Sequence, residues 1–78
     1  MSNCYRYFTR AGEFRIVQEQ SGRWLAMFED ENIGSYNSPQ AALDDLSGGH
    51  TDRPSCGNPS ELGMPDDLSD WTFIRARR

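Results

Sequence analysis

The sequence predicts an α+β domain of β-β-β-α-β order: a three-stranded antiparallel meander, one α-helix packed on one face, a long loop and a C-terminal edge strand. Three observations predict it. Phe14, Ile16 and Gln18 alternate with Arg15, Val17 and Glu19, and Trp24, Ala26 and Phe28 alternate with Leu25 and Met27, the period of half-buried strands. Ser38-Pro39 stands ahead of an Ala42, Leu43, Leu46 stripe, which has helical spacing. Alternation then resumes from Leu68 to Arg75, where Trp71 and Phe73 are expected on the core face as an edge strand closes the fold.

The register of the first two strands follows from requiring one consistent apolar face, because a slip of one residue sends every side chain to the other side. A two-residue loop at Ser21-Gly22 leaves two half-apolar faces. A three-residue loop, Gln20-Ser21-Gly22, with Gly22 in the left-handed region, pairs Phe14 with Phe28, Ile16 with Ala26 and Gln18 with Trp24. That register gathers Phe14, Ile16, Trp24, Ala26 and Phe28 together. The same logic at Asp30-Glu31-Asn32 starts the third strand at Ile33, sets Gly34 across from Phe28 and brings Tyr36 to the core face.

The helix is the most readable element. Ser38 can accept from an orphan amide as the N-cap, and Pro39 at the first helical position loses no hydrogen bond. Gly48-Gly49 supplies a left-handed stop. A helix of two to three turns does not persist alone, so it must lie on the Trp24/Phe28 face. Asp44 and Asp45, near its C-terminus, are disfavoured by the helix dipole and read as a solvated outer face rather than an anion site.

Seventy-eight residues make a single small domain, 1–78, with a modest core. Its net stability is expected to be about 3–5 kcal/mol. The eight basic residues are all arginine, most simply a mark of GC-rich coding. A net charge of -4 argues against a general nucleic-acid or anionic-membrane binder, since such binding rests on neutralising many phosphates. No apolar run approaches the ~18 residues of a membrane span, and the N-terminus lacks an apolar signal core. A cytoplasmic protein is therefore expected, with Cys4 and Cys56 as free thiols.

Two regions stand outside the meander. In the N-terminal segment, 1–12, Tyr5, Tyr7 and Phe8 are interleaved with Arg6 and Arg10, a composition used to stack bases and hold phosphates; the plainer account is an extra edge strand or a tail covering the sheet. The irregular loop 47–66 is rich in Gly, Pro, Ser and Asn and is long for so small a domain. It holds His50, Asp52 and Cys56, to which Cys4 could add, but the spacing matches no standard zinc pattern. A surface loop with an incidental thiol is expected, and neither metal nor cofactor is called for. A Cys/His nucleophilic pair lacks any sign of an orienting third group. Gly48-Gly49 ends a helix, whereas a phosphate-cradling loop begins one.

GRW on the second strand, Gly34-x-Tyr36 on the third and Ser38-Pro39-x-x-Ala42 opening the helix resemble small bacterial domains of unknown function built as a β-meander plus helix. The resemblance covers roughly residues 13–49. Its motifs are structural and imply no catalytic residue.

The sheet face opposite the helix is expected to present Arg15, Val17, Glu19, Arg23, Leu25, Met27 and Ile33. Apolar side chains rimmed by charges of both signs fit the centre and rim of an interface, unless the long loop folds over them. The leading expectation is a non-enzymatic protein-binding or homodimeric module acting through Val17, Leu25, Met27, Ile33, Arg15 and Arg23. The alternative is a small nucleic-acid-associated regulator using Tyr5, Arg6, Tyr7 and Arg10, with Arg15, Arg23 and the C-terminal Arg75, Arg77 and Arg78.

Overall fold

Alternation at the N-terminus adds a strand to the expected meander. The computed structural model describes residues 3–52 and 54–75, so Arg53, Arg77 and Arg78 lie outside the described residues. The fold is α+β, with an antiparallel sheet and one α-helix. The sheet has five strands rather than three, in the order β4-β3-β2-β1-β5: β1 (Cys4–Thr9), β2 (Gly12–Gln18), β3 (Trp24–Phe28), β4 (Glu31–Tyr36) and β5 (Thr72–Ile74). The helix, α1 (Pro39–Gly48), follows β4, and two 3-10 turns, Pro59–Leu62 and Leu68–Asp70, precede β5.

The first correction is that β1 is an interior strand, paired with β2 on one side and β5 on the other. Its alternation explains this. Tyr5 and Tyr7 stand opposite Ile16 and Phe14, so they extend the core face of the meander and pack on the buried cluster. The Thr9 hydroxyl accepts from the Ala11 and Gly12 amides, which stabilises the tight turn into β2.

Between β2 and β3 the pairing is the expected one, with Phe14, Ile16 and Gln18 opposite Phe28, Ala26 and Trp24. Glu19 N–H donates to the Arg23 carbonyl at 2.7 Å, extending the ladder to the loop, and Gly22 takes φ 93°. That left-handed geometry is what a three-residue connection of this kind requires.

The second correction concerns β4. The turn is Glu29-Asp30, so Glu31, not Gly34, stands opposite Phe28. The register then shifts between Ala26 and Met27, leaving Ile33 unpaired as a bulge while Gly34 meets Ala26 and Tyr36 meets Trp24. The bulge takes Ile33 out of the alternation and into the core, where it is 3% exposed. Burying it contributes roughly 1.5–3 kcal/mol. The Asp52 amide donates to the Ile33 carbonyl at 2.9 Å, so the long loop satisfies a group that the bulge releases from the ladder. Glu29 takes φ 52° and is pinned from two sides: its amide donates to the Glu13 carbonyl at 2.9 Å, and its carboxylate accepts from the Glu13 amide at 2.7 Å.

The helix begins and ends as its residues dictate. Ser38 Oγ accepts from the Ala41 amide at 3.1 Å, and Gly49 closes the C-terminus at φ 76°. Ala42, Leu43 and Leu46 are fully buried against Phe14, Ile16, Ala26, Phe28 and Ile33, so α1 lies on the Trp24/Phe28 side of the sheet. The loop and 3-10 turns finish the same side. Pro54 and Pro59 are buried, Met64 and Trp71 complete the cluster, and the Trp71 indole donates to the Pro65 carbonyl at 3.1 Å. Phe73 shares that side through Tyr5, 4.8 Å between ring centroids, but at the sheet edge it stays 46% exposed.

Tyr36 closes the β4 edge of this layer. Burial, together with the Asp45 carboxylate beside its hydroxyl and the charge of Asp52, pushes its pKa from 10 up to about 12. Between pH 10 and 12 the unfolded chain ionises this tyrosine while the folded chain keeps its proton, so unfolding releases a proton and stability falls as pH rises through that window. Urea midpoints at pH 9 and 11 are expected to show a loss that Tyr36→Phe reduces; an equal loss in both proteins would remove Tyr36 as its source.

Candidate binding face

Because every strand alternates, packing one face with the core commits the remaining side chains to the other. Along β2 these are Glu13, Arg15 and Val17; on β3, Leu25 and Met27; on β1, Cys4, Arg6 and Phe8; on β5, Thr72 and Ile74. The register lines them up in rows across the strands. One row reads Ile74, Cys4, Val17, Leu25 and Ser35 from edge to edge. The next reads Thr72, Arg6, Arg15, Met27 and Asn32.

The first row is an apolar stripe crossing four strands, with Val17 on β2, the middle strand. None of its members belongs to the buried cluster or packs on it. Phe8 and Ile74, on the same face, are 66% and 38% exposed. Cys4, Val17, Leu25 and Met27 between them are half-buried, and apolar surface rimmed by polar groups is a mark of interaction sites.

The charges beside the stripe are held in place. Glu13 reaches Arg6 at 3.8 Å and Arg15 at 3.6 Å, and Arg15 Nη2 donates to the Glu29 carbonyl at 2.8 Å. Exposed ion pairs at such distances add little stability, but they restrict the two guanidinium groups and lower the entropy lost if a partner uses them. Arg6 also lies over the Phe8 ring, 5.4 Å from its centroid. On the far side of the stripe, Arg23 Nε donates to Ser35 Oγ at 2.7 Å and Nη1 to Asn37 Oδ1 at 2.7 Å.

Of the six residues expected on this face, Val17, Leu25, Met27 and Arg15 stand together there and Arg23 forms its rim. Ile33 does not: the bulge puts it in the core. Sequence reasoning missed Cys4, Arg6, Phe8 and Ile74, which reach the face only because β1 is interior and β5 pairs with it. The Tyr5/Tyr7 alternation held the signal, but nothing local says which strand the segment joins.

The nucleic-acid set is divided by the same alternation. Tyr5 and Tyr7 turn inward, with ring centroids 6.0 Å from Trp24 and 5.5 Å from Trp71 respectively. Arg6 turns outward, and Arg10 at the turn donates to the Glu61 carbonyl at 3.2 Å. Tyrosine faces and guanidinium groups thus share no surface on which a strand could stack. Arg75 is exposed just beyond β5.

Burial pushes the Cys4 thiol pKa up, against the lowering influence of Arg15, and burial likewise raises that of Cys56. Both thiols are therefore protonated at neutral pH, whereas the thiolate is the nucleophile and metal ligand. Among the described residues no three His, Cys, Asp or Glu side chains converge to hold a metal ion. No helix among the described residues is long and apolar enough to cross a membrane.

No family model, curated protein or solved structure matches the chain. The geometry of its own side chains therefore carries the functional argument.

Proposed function

We propose that this chain is a small non-enzymatic binding module whose working surface is the helix-free face of the sheet, centred on Val17, Leu25 and Met27 with Cys4, Phe8 and Ile74 around them. One observation carries the reading. The long loop was the chain's own means of covering that strip, and it is used on the other side: Pro54, Pro59 and Met64 are buried there, and Asp52 and Ser55 bind β4 through the Ile33 carbonyl and the Glu31 carboxylate. What remains is an apolar centre with a polar, partly immobilised rim, the anatomy of a non-obligate interface.

A photoreactive benzophenone amino acid tests this. Placed at position 25 in the cells that make the protein, it is expected to give one dominant adduct of defined mass on irradiation. Placed at position 44, on the solvated side of α1, it is expected to give none. Failure to cross-link at position 25 in a folded variant would remove the face as a working surface.

A further inference from the structure

We infer that the occupant of this face is a second copy of the chain, stacked sheet to sheet about a two-fold axis that runs along the Ile74–Cys4–Val17–Leu25 row. The inference rests on the binding-face reading and adds the partner and its orientation.

An isologous pair must be complementary to itself. A two-fold axis lying in the interface along that row sets each of its residues over its own counterpart, so Val17 meets Val17 and Leu25 meets Leu25. Any residue one row to one side then meets the residue one row to the other side. On the middle strand these are Arg15 and Glu19, two residues before and two after Val17. The ladder continues through Glu19, whose amide donates to Arg23, so Glu19 keeps the outward alternation of Arg15 and Val17. It is exposed, and among the described residues its carboxylate has no cationic partner within ion-pair distance. The axis sets each Arg15 against the second copy's Glu19, twice.

Other placements fail on charge. Moving the axis onto the Arg6/Arg15 row stacks Arg15 on Arg15. Moving it half a row sets Arg15 over Val17 and loses the Arg15–Glu19 match. On β3 the favoured axis brings Arg23 over Met27, with the Arg23 guanidinium held at the rim by Ser35 and Asn37. The roughly 30° offset of stacked twisted sheets disturbs the matching little, since Cys4 and Leu25 lie one strand from the centre. Strand spacing and rise give the face a flat footprint of about 19 by 17 Å. Counted on both copies, that is roughly 650 Å², well below the ~1,200 Å² of stable specific interfaces and in the range of weak, transient contacts. The pair is therefore reversible and concentration-dependent.

Sedimentation equilibrium of the purified chain, from roughly micromolar to millimolar concentration, is expected to show monomer passing to dimer. Glu19→Arg, which breaks no ion pair among the described residues, is expected to weaken dimerisation about tenfold or more, and adding Arg15→Glu to recover most of it. A second measurement avoids charge changes. Stacked sheets lie ~10 Å apart, beyond the ~4.4–6.8 Å between α-carbons that a disulfide spans. In Cys56→Ser protein, a short bis-maleimide should therefore join Cys4 to Cys4 in high yield, and air oxidation should not. A dimer indifferent to Glu19→Arg and not linked through Cys4 overturns the axis. A monomer throughout overturns the self-pairing; an adduct at position 25 of mass other than twice 8.9 kDa does the same while leaving the binding face standing. A dimer that persists in Leu25→Glu overturns self-pairing through this face, and cross-linking at position 25 still decides whether the face binds at all.

Discussion

Leu25→Glu combined with Met27→Glu is expected to abolish association through the sheet while the domain stays folded. Both side chains lie on β3, on the face without core contacts. Both are half-buried, so the cost to the fold is the poorer strand preference of glutamate together with a partial loss of apolar burial, about 1 kcal/mol at each position, which a domain stable by about 3–5 kcal/mol tolerates. The cost to an interface is different in kind. Two carboxylates carried into its apolar centre would be desolvated without partners. The expected result is a far-UV circular dichroism spectrum like that of the parent, with the dimer or complex lost at every concentration where the parent shows it. Association at parental affinity would mean that the face is not the working one.

Phe14→Ala, on the neighbouring strand but the opposite face, should do the reverse and unfold the molecule. Phe14 is fully buried and stands on the middle strand between Tyr7 and Phe28, with its ring 4.8 Å from that of Phe28. Removing a buried phenyl costs about 3–5 kcal/mol through lost transfer energy and the cavity left behind. That is comparable to the whole expected stability, and α1 on one side with β1 and β3 on the others leaves little room for collapse into the space. At 25 °C most of the variant is expected to be unfolded, read as loss of the cooperative urea transition. A melting temperature within a few degrees of the parent would show that the core does not depend on this ring.

The two substitutions together test one geometric claim, that side chains a single strand step apart have unrelated jobs. Leu25 and Ala26 are adjacent in sequence, yet one is half-buried on the helix-free face and the other is sealed under α1. This asymmetry is what a half-covered antiparallel sheet produces.

Much of this was legible in the residues. The β2–β3 register, the Gly22 loop, the Ser38 cap and the Ala42/Leu43/Leu46 stripe all follow from rules that act within a few residues: turn geometry, capping and period. The composition of the helix-free face followed in part, because a register that fills one face with Phe14, Ile16, Ala26 and Phe28 leaves Val17, Leu25 and Met27 on the other.

What local rules could not supply was partnership at a distance. The alternation of Tyr5 and Tyr7 is visible in the sequence, but that their strand lies between β2 and β5 depends on the chain returning more than sixty residues later to offer Thr72–Ile74. Ile33 shows the same dependence in one residue. Strict alternation puts it outside, and a bulge puts it inside, because the core has room for it and the Asp52 amide is there to take its carbonyl. The destination of the long loop was equally hidden, since irregular segments carry no period from which a face can be read. The sequence by itself determined the α+β class, the helix and the inner pairing, where each preference is local and cheap to satisfy. Tertiary structure alone decided the five-strand order, the burial of Ile33 and the alignment of Ile74 and Cys4 with Val17 and Leu25, because each requires segments far apart in the chain to meet.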